Sequence, residues 1–254
     1  MQVTMSERRT EIVELFSSIQ GEGLLVGLRQ AFLRFHGCNL ACSYCDTRHG
    51  EHPGTALLEA TPGRRNFIPE PNPVALGKVV DTLNLWLRGW PGIHHSISIT
   101  GGEPLINVEV LREWLPQLQQ LLPIYLETNG ILYHVLEELI PNIDFISMDI
   151  KLPSSSGCTD LWEKHREFLQ VASQKTVFIK MVICDATEDW EVTRASELIA
   201  DIDPAISCIL QPVTCNDGTV GIRPLRMLEL QEIAAGLLAD VRVIPQTHKF
   251  IGQL

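Results

Sequence analysis

Short apolar runs alternate with helical patterns along almost the whole chain, and this alternation constrains the fold more than any other feature. Ala31–Phe35, Ser96–Thr100, Ile124–Glu127, Ile143–Ile150, Thr176–Ile183, Ile206–Leu210 and Val241–Ile244 each read as a brief strand bounded by turn residues. Near-continuous apolar runs of this length are what parallel strands covered on both faces require. Val74–Trp90, Val108–Leu122, Leu132–Ile140, Asp160–Ala172, Trp190–Asp201 and Leu225–Leu238 carry helical periodicity between them, with Asn72-Pro73 as cap and first position of the first helix. Strand–helix alternation predicts βαβ units and an α/β fold with a parallel sheet. A single domain over residues 1–254 accommodates it. The Pro-, Gly- and charge-rich stretch from Arg48 to Pro73 breaks the pattern and is expected to be an insertion.

Composition narrows the function. The formal net charge is −11 with scattered Lys and Arg, which argues against a broad grip on nucleic acid and for a small-molecule substrate. No apolar stretch approaches the roughly 18 residues a membrane helix needs. The polar start from Met1 to Glu11 lacks a signal-peptide core, so a cytoplasmic location is expected. In a reducing compartment, crowded cysteines signal metal binding or catalysis rather than disulfides.

Three of the seven cysteines are crowded in this way: Cys38, Cys42 and Cys45, spaced C-x3-C-x2-C after the first predicted strand. Thiolates are the soft ligands preferred by iron–sulfur clusters and zinc. A structural zinc site closes with four ligands, and the fourth would have to come from His36, His49, His52 or a distant cysteine. Three ligands instead leave one iron of a cubane open to a cofactor. Other unusual groups also sit at predicted strand ends: Thr100-Gly-Gly-Glu103, Glu127-Thr-Asn129, Asp149 with Lys151, and Gln211. Parallel sheets and barrels place their sites there. The remaining cysteines, Cys158, Cys184, Cys208 and Cys215, have no ligand spacing. Cys184 and Cys208 read as core, Cys215 as exposed, and His94-His95 as surface.

The cysteine spacing together with Thr100-Gly-Gly-Glu-Pro104 resembles the radical S-adenosylmethionine (SAM) superfamily. The resemblance implies a partial (β/α)6 TIM-like barrel of the radical SAM type. It also implies a [4Fe–4S] cluster on Cys38, Cys42 and Cys45 whose open iron is chelated by SAM. Phe16-Ser-Ser-Ile-Gln-Gly-Glu-Gly23, Cys45-Asp-Thr47, Glu127-Thr-Asn-Gly130, Ser147-Met-Asp-Ile-Lys151, Gln211-Pro212 and Val243-Ile-Pro-Gln-Thr-His-Lys249 narrow it. Together they resemble the 7-carboxy-7-deazaguanine synthase family over nearly the whole chain.

That family resemblance implies a queuosine or 7-deazapurine route. The implied reaction is ring contraction of 6-carboxy-5,6,7,8-tetrahydropterin with loss of ammonia. By matched position, Ile19, Gln20, Gly21, Glu22, Arg34 and Thr100 would contact the pterin, Arg34 forking onto its carboxylate. The terminal carboxylate of Leu254 would reach it too. Tyr44, Cys45, Asp46, Gly102, Glu103, Ser147, Asp149, Lys151 and Gln211 would line SAM, and Thr47 would hold a Mg2+ ion. Glu127 is expected near the site without an assigned side. A homodimer and an electron donor such as flavodoxin or ferredoxin are implied as partners. Two rivals remain open on the cysteines alone: a glycyl-radical activase, which should lack the Gln20-Gly-Glu22 and Gln246-Thr-His248 elements, and a non-catalytic zinc-binding module.

Overall fold

The fold is given by a computed structural model that describes residues 8–45, 52–159, 161–215 and 217–253. The predicted strands form, and the structure adds others. In chain order the strands are β1 (Arg9–Thr10), β2 (Ile12–Ile19), β3 (Arg29–Phe35), β4 (Thr55–Glu59), β5 (Phe67–Pro71) and β6 (Val74–Ala75). Then come β7 (Ser96–Gly101), β8 (Ile124–Thr128), β9 (Phe145–Asp149), β10 (Thr176–Ile183), β11 (Cys208–Pro212) and β12 (Val241–Val243). The helices are α1 (Leu76–Gly89), α2 (Val108–Leu118), α3 (Tyr133–Leu139), α4 (Pro153–Ser156), α5 (Trp162–Ala172), α6 (Asp189–Ala200), α7 (Pro224–Ala235) and α8 (Thr247–Phe250). No helix among the described residues is long and apolar enough to cross a membrane.

Ten strands make one sheet, ordered β12-β11-β10-β9-β8-β7-β3-β2-β4-β5. The run from β3 through β7 to β12 is parallel throughout, each step made by a helical crossover. The sheet stays open, with β12 and β5 as its edges, and is mostly parallel, as the expected partial barrel requires.

Side chains alternate across a strand, and that alternation divides the sheet into two chemically different faces. Ala31, Leu33 and Phe35 of β3, Ile97 and Ile99 of β7, Ile146 and Met148 of β9 and Ile179 and Met181 of β10 all join the core under the helices. The helices meet them with one apolar stripe each: Leu76, Val79, Leu83 and Trp86 on α1, Leu111, Trp114, Leu115 and Leu118 on α2. Each such side chain fully buried contributes about 1.5–3 kcal/mol. The residues between them face the other way: Gln30 and Arg34, Ser96, Ser98 and Thr100, Glu127, Asp149, Lys180 and Gln211. Tyr125, Phe178 and Ile209 form a small apolar cluster on this inner face. The polar groups therefore run along the strands as well as at their ends.

Several expectations are corrected here. Ile12–Ile19, not foreseen as a strand, pairs antiparallel with β3 from Ile12↔Phe35 to Ile19↔Arg29. The stretch from Arg48 to Pro73 is regular structure over its described part. It supplies β4 and β5, which extend the sheet from β2. The fastening is Glu59, a buried carboxylate that accepts from the backbone N–H of Ser17 (2.9 Å), Gly63 (2.9 Å) and Arg65 (2.6 Å). Asn72-Pro73 does not start the helix. Val74–Ala75 pairs with β1, α1 begins at Leu76, and the Asn72 amide bonds instead to Ile12 O and Pro53 O.

His94 is not at the surface either. It lies 5% exposed beneath α1, stacked on Trp86, with Nε2 2.8 Å from Ser17 Oγ. The missing clue was β2 itself, whose Ser17 supplies the polar partner. Cys208 is buried as expected, and Cys215 is exposed.

Candidate active site

The C-terminal ends of the parallel strands open into one cleft of about 1280 Å³. The loop after β3 forms one wall with Cys38, Cys42, Tyr44 and Cys45. Its anchor is the turn at α4: Ser43 N–H donates to Ser156 O at 2.9 Å, and Ser43 Oγ bonds Ser155 O at 2.5 Å. Cys158, without any ligand spacing in the sequence, comes within 3.8 Å of Cys42, sulfur to sulfur. Burial pushes the Cys42 thiol up to about 12, and as a metal ligand it would have to give up that proton.

Next to this wall are Gly101 and Gly102. Gly101 has φ +137°, and a Cβ there would sit 2.2 Å from Phe35 O, so only glycine lets β7 end this close to β3. Glu103 and Ser147 do not line the cleft, contrary to expectation. Glu103 is fully buried behind the glycines, accepting from Asn129 N (2.7 Å), Leu105 N (3.1 Å) and Thr128 Oγ1 (3.0 Å). It is an N-cap and loop tie. Ser147 is buried on β9 against the Tyr125 phenol.

Asp149 and Lys151 do line the cleft, 2.6 Å apart, and the Lys151 ammonium lies 5.4 Å from the Tyr44 ring centroid. Burial would lower the pKa of Lys151, but Asp149, Tyr44 and Cys42 together raise it. His165 sets the chain here. Lys151 N–H donates to its Nε2 at 3.1 Å, which leaves Nδ1 as the donor to Gly130 O at 2.9 Å. Burial lowers the His165 pKa to about 4, so the ring stays neutral.

The opposite side is built from β2, β3 and the chain's last segment. Gln20 Nε2 donates to Glu127 (2.8 Å) and Gln30 (2.9 Å). Thr100 Oγ1 donates to Glu127 at 2.7 Å. Glu127, left unassigned by the sequence, therefore belongs with Gln20 and Thr100. Arg34 crosses the Phe16 ring and gives its Nε to Glu14 at 2.8 Å. Glu22 bonds Lys180 and accepts from Gln246 Nε2 at 2.8 Å. Burial would raise the Glu22 pKa; the Lys180 ammonium and the Lys180 and Gln246 hydrogen bonds override it and hold the value at about 2. Gly21 makes room for the tail. Thr247 N–H donates to Gly21 O at 2.9 Å, and a Cβ on Gly21 would fall 2.2 Å from His248 Nδ1.

Ile19, Gln20, Gly21, Glu22, Arg34, Thr100, Cys38, Cys42, Tyr44, Cys45, Gly102, Asp149, Lys151 and Gln211 all line this one cleft. Asp46, Thr47 and Leu254 lie outside the described residues. Lys180, Gln246 and Cys184 join unforeseen, although a lysine inside the apolar run Thr176–Ile183 was a visible signal.

The donor set suits an iron–sulfur cluster with SAM. Three soft thiols share one wall without a fourth cysteine in their loop, as a cluster with an open iron requires. Gln211 Oε1 and Asn129 Oδ1 are buried acceptors without a partner among the described residues, both on cleft-lining side chains. An unmet buried acceptor costs about 1–3 kcal/mol, and the amino and hydroxyl groups of SAM are donors of the kind that would meet it.

The Radical SAM superfamily profile matches residues 32–169, more than half of the chain. Fold and site are those of this class, and the chain is a radical SAM protein. Relatives matching from end to end take the assignment further. A 7-carboxy-7-deazaguanine synthase of Geobacter sulfurreducens is 56% identical over 250 residues, covering 98% of this chain and 100% of the relative. One from Methanothermobacter thermautotrophicus is 34% identical over 263 residues, covering 96% and 98%. The chain belongs to the 7-carboxy-7-deazaguanine synthase family. A crystal structure of QueE from Escherichia coli has a similar fold, with a TM-score of 0.58 and 21% identity over 94% of this chain and 95% of that one.

Proposed function

We propose that this chain converts 6-carboxy-5,6,7,8-tetrahydropterin to 7-carboxy-7-deazaguanine with loss of ammonia, as a step toward queuosine or another 7-deazapurine. The observation that carries the reading is the single cleft that joins the three-cysteine loop to Gln20, Glu22, Arg34 and Glu127. When bound, the cluster and SAM supply a carbon-centred radical able to take a hydrogen from C6 of the pterin.

The chain's own residues do the rest. Arg34 keeps its Nε on Glu14, and its terminal nitrogens, unpaired among the described residues, present a fork to the substrate carboxylate. Gln20 and the two carboxylates of Glu22 and Glu127 read the donor–acceptor edge of the pterin. Glu22 stays ionised across the working range, so it accepts from ring N–H groups without a pH threshold. The tail from Gln246 to Gln253 covers this side and limits water. By matched position, Asp46 would serve SAM, and Thr47 would give one oxygen to a Mg2+ ion that keeps much of its water shell. A flavodoxin- or ferredoxin-type donor reduces the cluster, and the chain works as a homodimer in the cytoplasm.

The test is an anaerobic assay with the carboxytetrahydropterin, SAM and a reductant, read by mass. The expected product is 7-carboxy-7-deazaguanine, and purified protein should be brown with about four irons per chain. SAM cleavage with the pterin left intact would remove the substrate assignment while keeping the class.

A further inference from the structure

We propose that Lys180 is a positioning residue that couples the binding of cofactor and substrate across the cleft. This rests on the functional reading above and adds a residue to it that no motif supplied.

Lys180 sits mid-strand on β10, paired in register with Asp149 of β9. Its side chain is 11% exposed and lines the cleft. The ammonium bonds the Glu22 carboxylate and also lies 3.3 Å from Asp149 Oδ1. Asp149 Oδ2 in turn takes Lys151 at 2.6 Å. The result is a row of alternating charge, Glu22–Lys180–Asp149–Lys151, running from the pterin side to the SAM side. Lys180 is the member that touches both carboxylates.

Such a row acts as a unit for two physical reasons. A buried ion left without its partner is strongly unfavourable, so each charge holds the next in place. Long lysine side chains are also costly to order, and the cost is met once for the whole row. A ligand that fixes Glu22 therefore fixes Asp149 through Lys180, and the second ligand meets an ordered site. This is positive coupling, and it must be reciprocal: the pterin tightens SAM by the factor with which SAM tightens the pterin. A lysine that only stabilised the fold would alter melting temperature and both affinities, but not their ratio with and without the other ligand.

The experiment uses cluster-loaded protein under anaerobic conditions without reductant, so that SAM is bound and not consumed. Calorimetry gives the Kd of SAM with and without saturating 6-carboxy-5,6,7,8-tetrahydropterin. In wild type the pterin should tighten SAM about fivefold or more. In K180M that ratio should fall to near one, and K180R, which keeps the charge, should recover much of it. Should K180M fail to load iron, K180Q is read the same way, because it removes the charge but leaves a donor group. A wild-type-sized ratio in the neutral variants, or a ratio of one in wild-type protein that binds the pterin, overturns the inference. Wild-type protein that does not bind the pterin at all overturns the functional reading, a failure seen before any variant is made.

Discussion

The two sides of the cleft are built in opposite ways. The cluster wall of the cofactor side is local: Cys38, Cys42 and Cys45 lie within one loop, and the α4 turn that anchors it contributes through two hydrogen bonds from a single residue, Ser43. The substrate side is assembled from the ends of the chain. Gly21 accepts from Thr247, and Glu22 from Gln246, across more than two hundred residues. A local site forms with its loop, whereas a distributed one forms only when the whole sheet has closed the distance. The cofactor side should therefore fail completely on loss of one ligand, and the substrate side should fail by degrees.

The largest effect expected is that of C42A. It should remove the cluster and with it SAM cleavage, seen as colourless protein and no 5′-deoxyadenosine. Brown, cleaving C42A protein would break the assignment of the loop. On the other side, R34A should retain its iron content and weaken pterin binding about 10- to 100-fold, the range for losing a charge-assisted fork. Unchanged pterin affinity would move the carboxylate site elsewhere. A smaller loss is expected for G21A. Its Cβ would overlap the His248 ring, so the tail must shift. Pterin affinity should drop about tenfold while cluster content stays, and limited proteolysis should cut the tail sooner. A tail as resistant as in wild type would show that the contact is slack.

The same division explains what could be read in the sequence. The parallel strands were legible because each is a short apolar run with turn residues on both sides, and the cysteine loop because its spacing is contiguous. β2 was not. Glu14, Ser17 and Ser18 interrupt its apolar residues, and only the structure shows that Glu14 meets Arg34 and Ser17 meets His94. β4 and β5 hid behind Pro, Gly and charge, because what orders them is one buried carboxylate, Glu59, accepting three backbone N–H groups. Glu103 sits in a motif that pointed to the cofactor, yet its side chain turns away to Asn129 and Leu105. A motif fixes which residues gather at a strand end. Which way each side chain turns depends on partners dozens of positions away.

Each region also rests on a buried neutral histidine, and acid provides a common test of both. His165 supports Lys151 beside the cofactor wall, while His94 holds β2 through Ser17, behind the substrate wall. Burial lowers both from the ordinary 6.5 to about 4. An unfolded chain takes up these protons below 6.5, and the folded one resists until about 4. Their contribution is therefore fully present above 6.5 and is lost as pH falls through that window. Near about pH 5.5 each should cost about 1 kcal/mol, measurable as a lower urea midpoint. H94Q and H165Q should each flatten the stability–pH profile by a similar share, since neither glutamine titrates. A profile that flattens in H94Q but not in H165Q would mean that the cofactor wall tolerates a charged imidazole, and that Lys151 is held in place by Asp149 rather than by the ring beneath it.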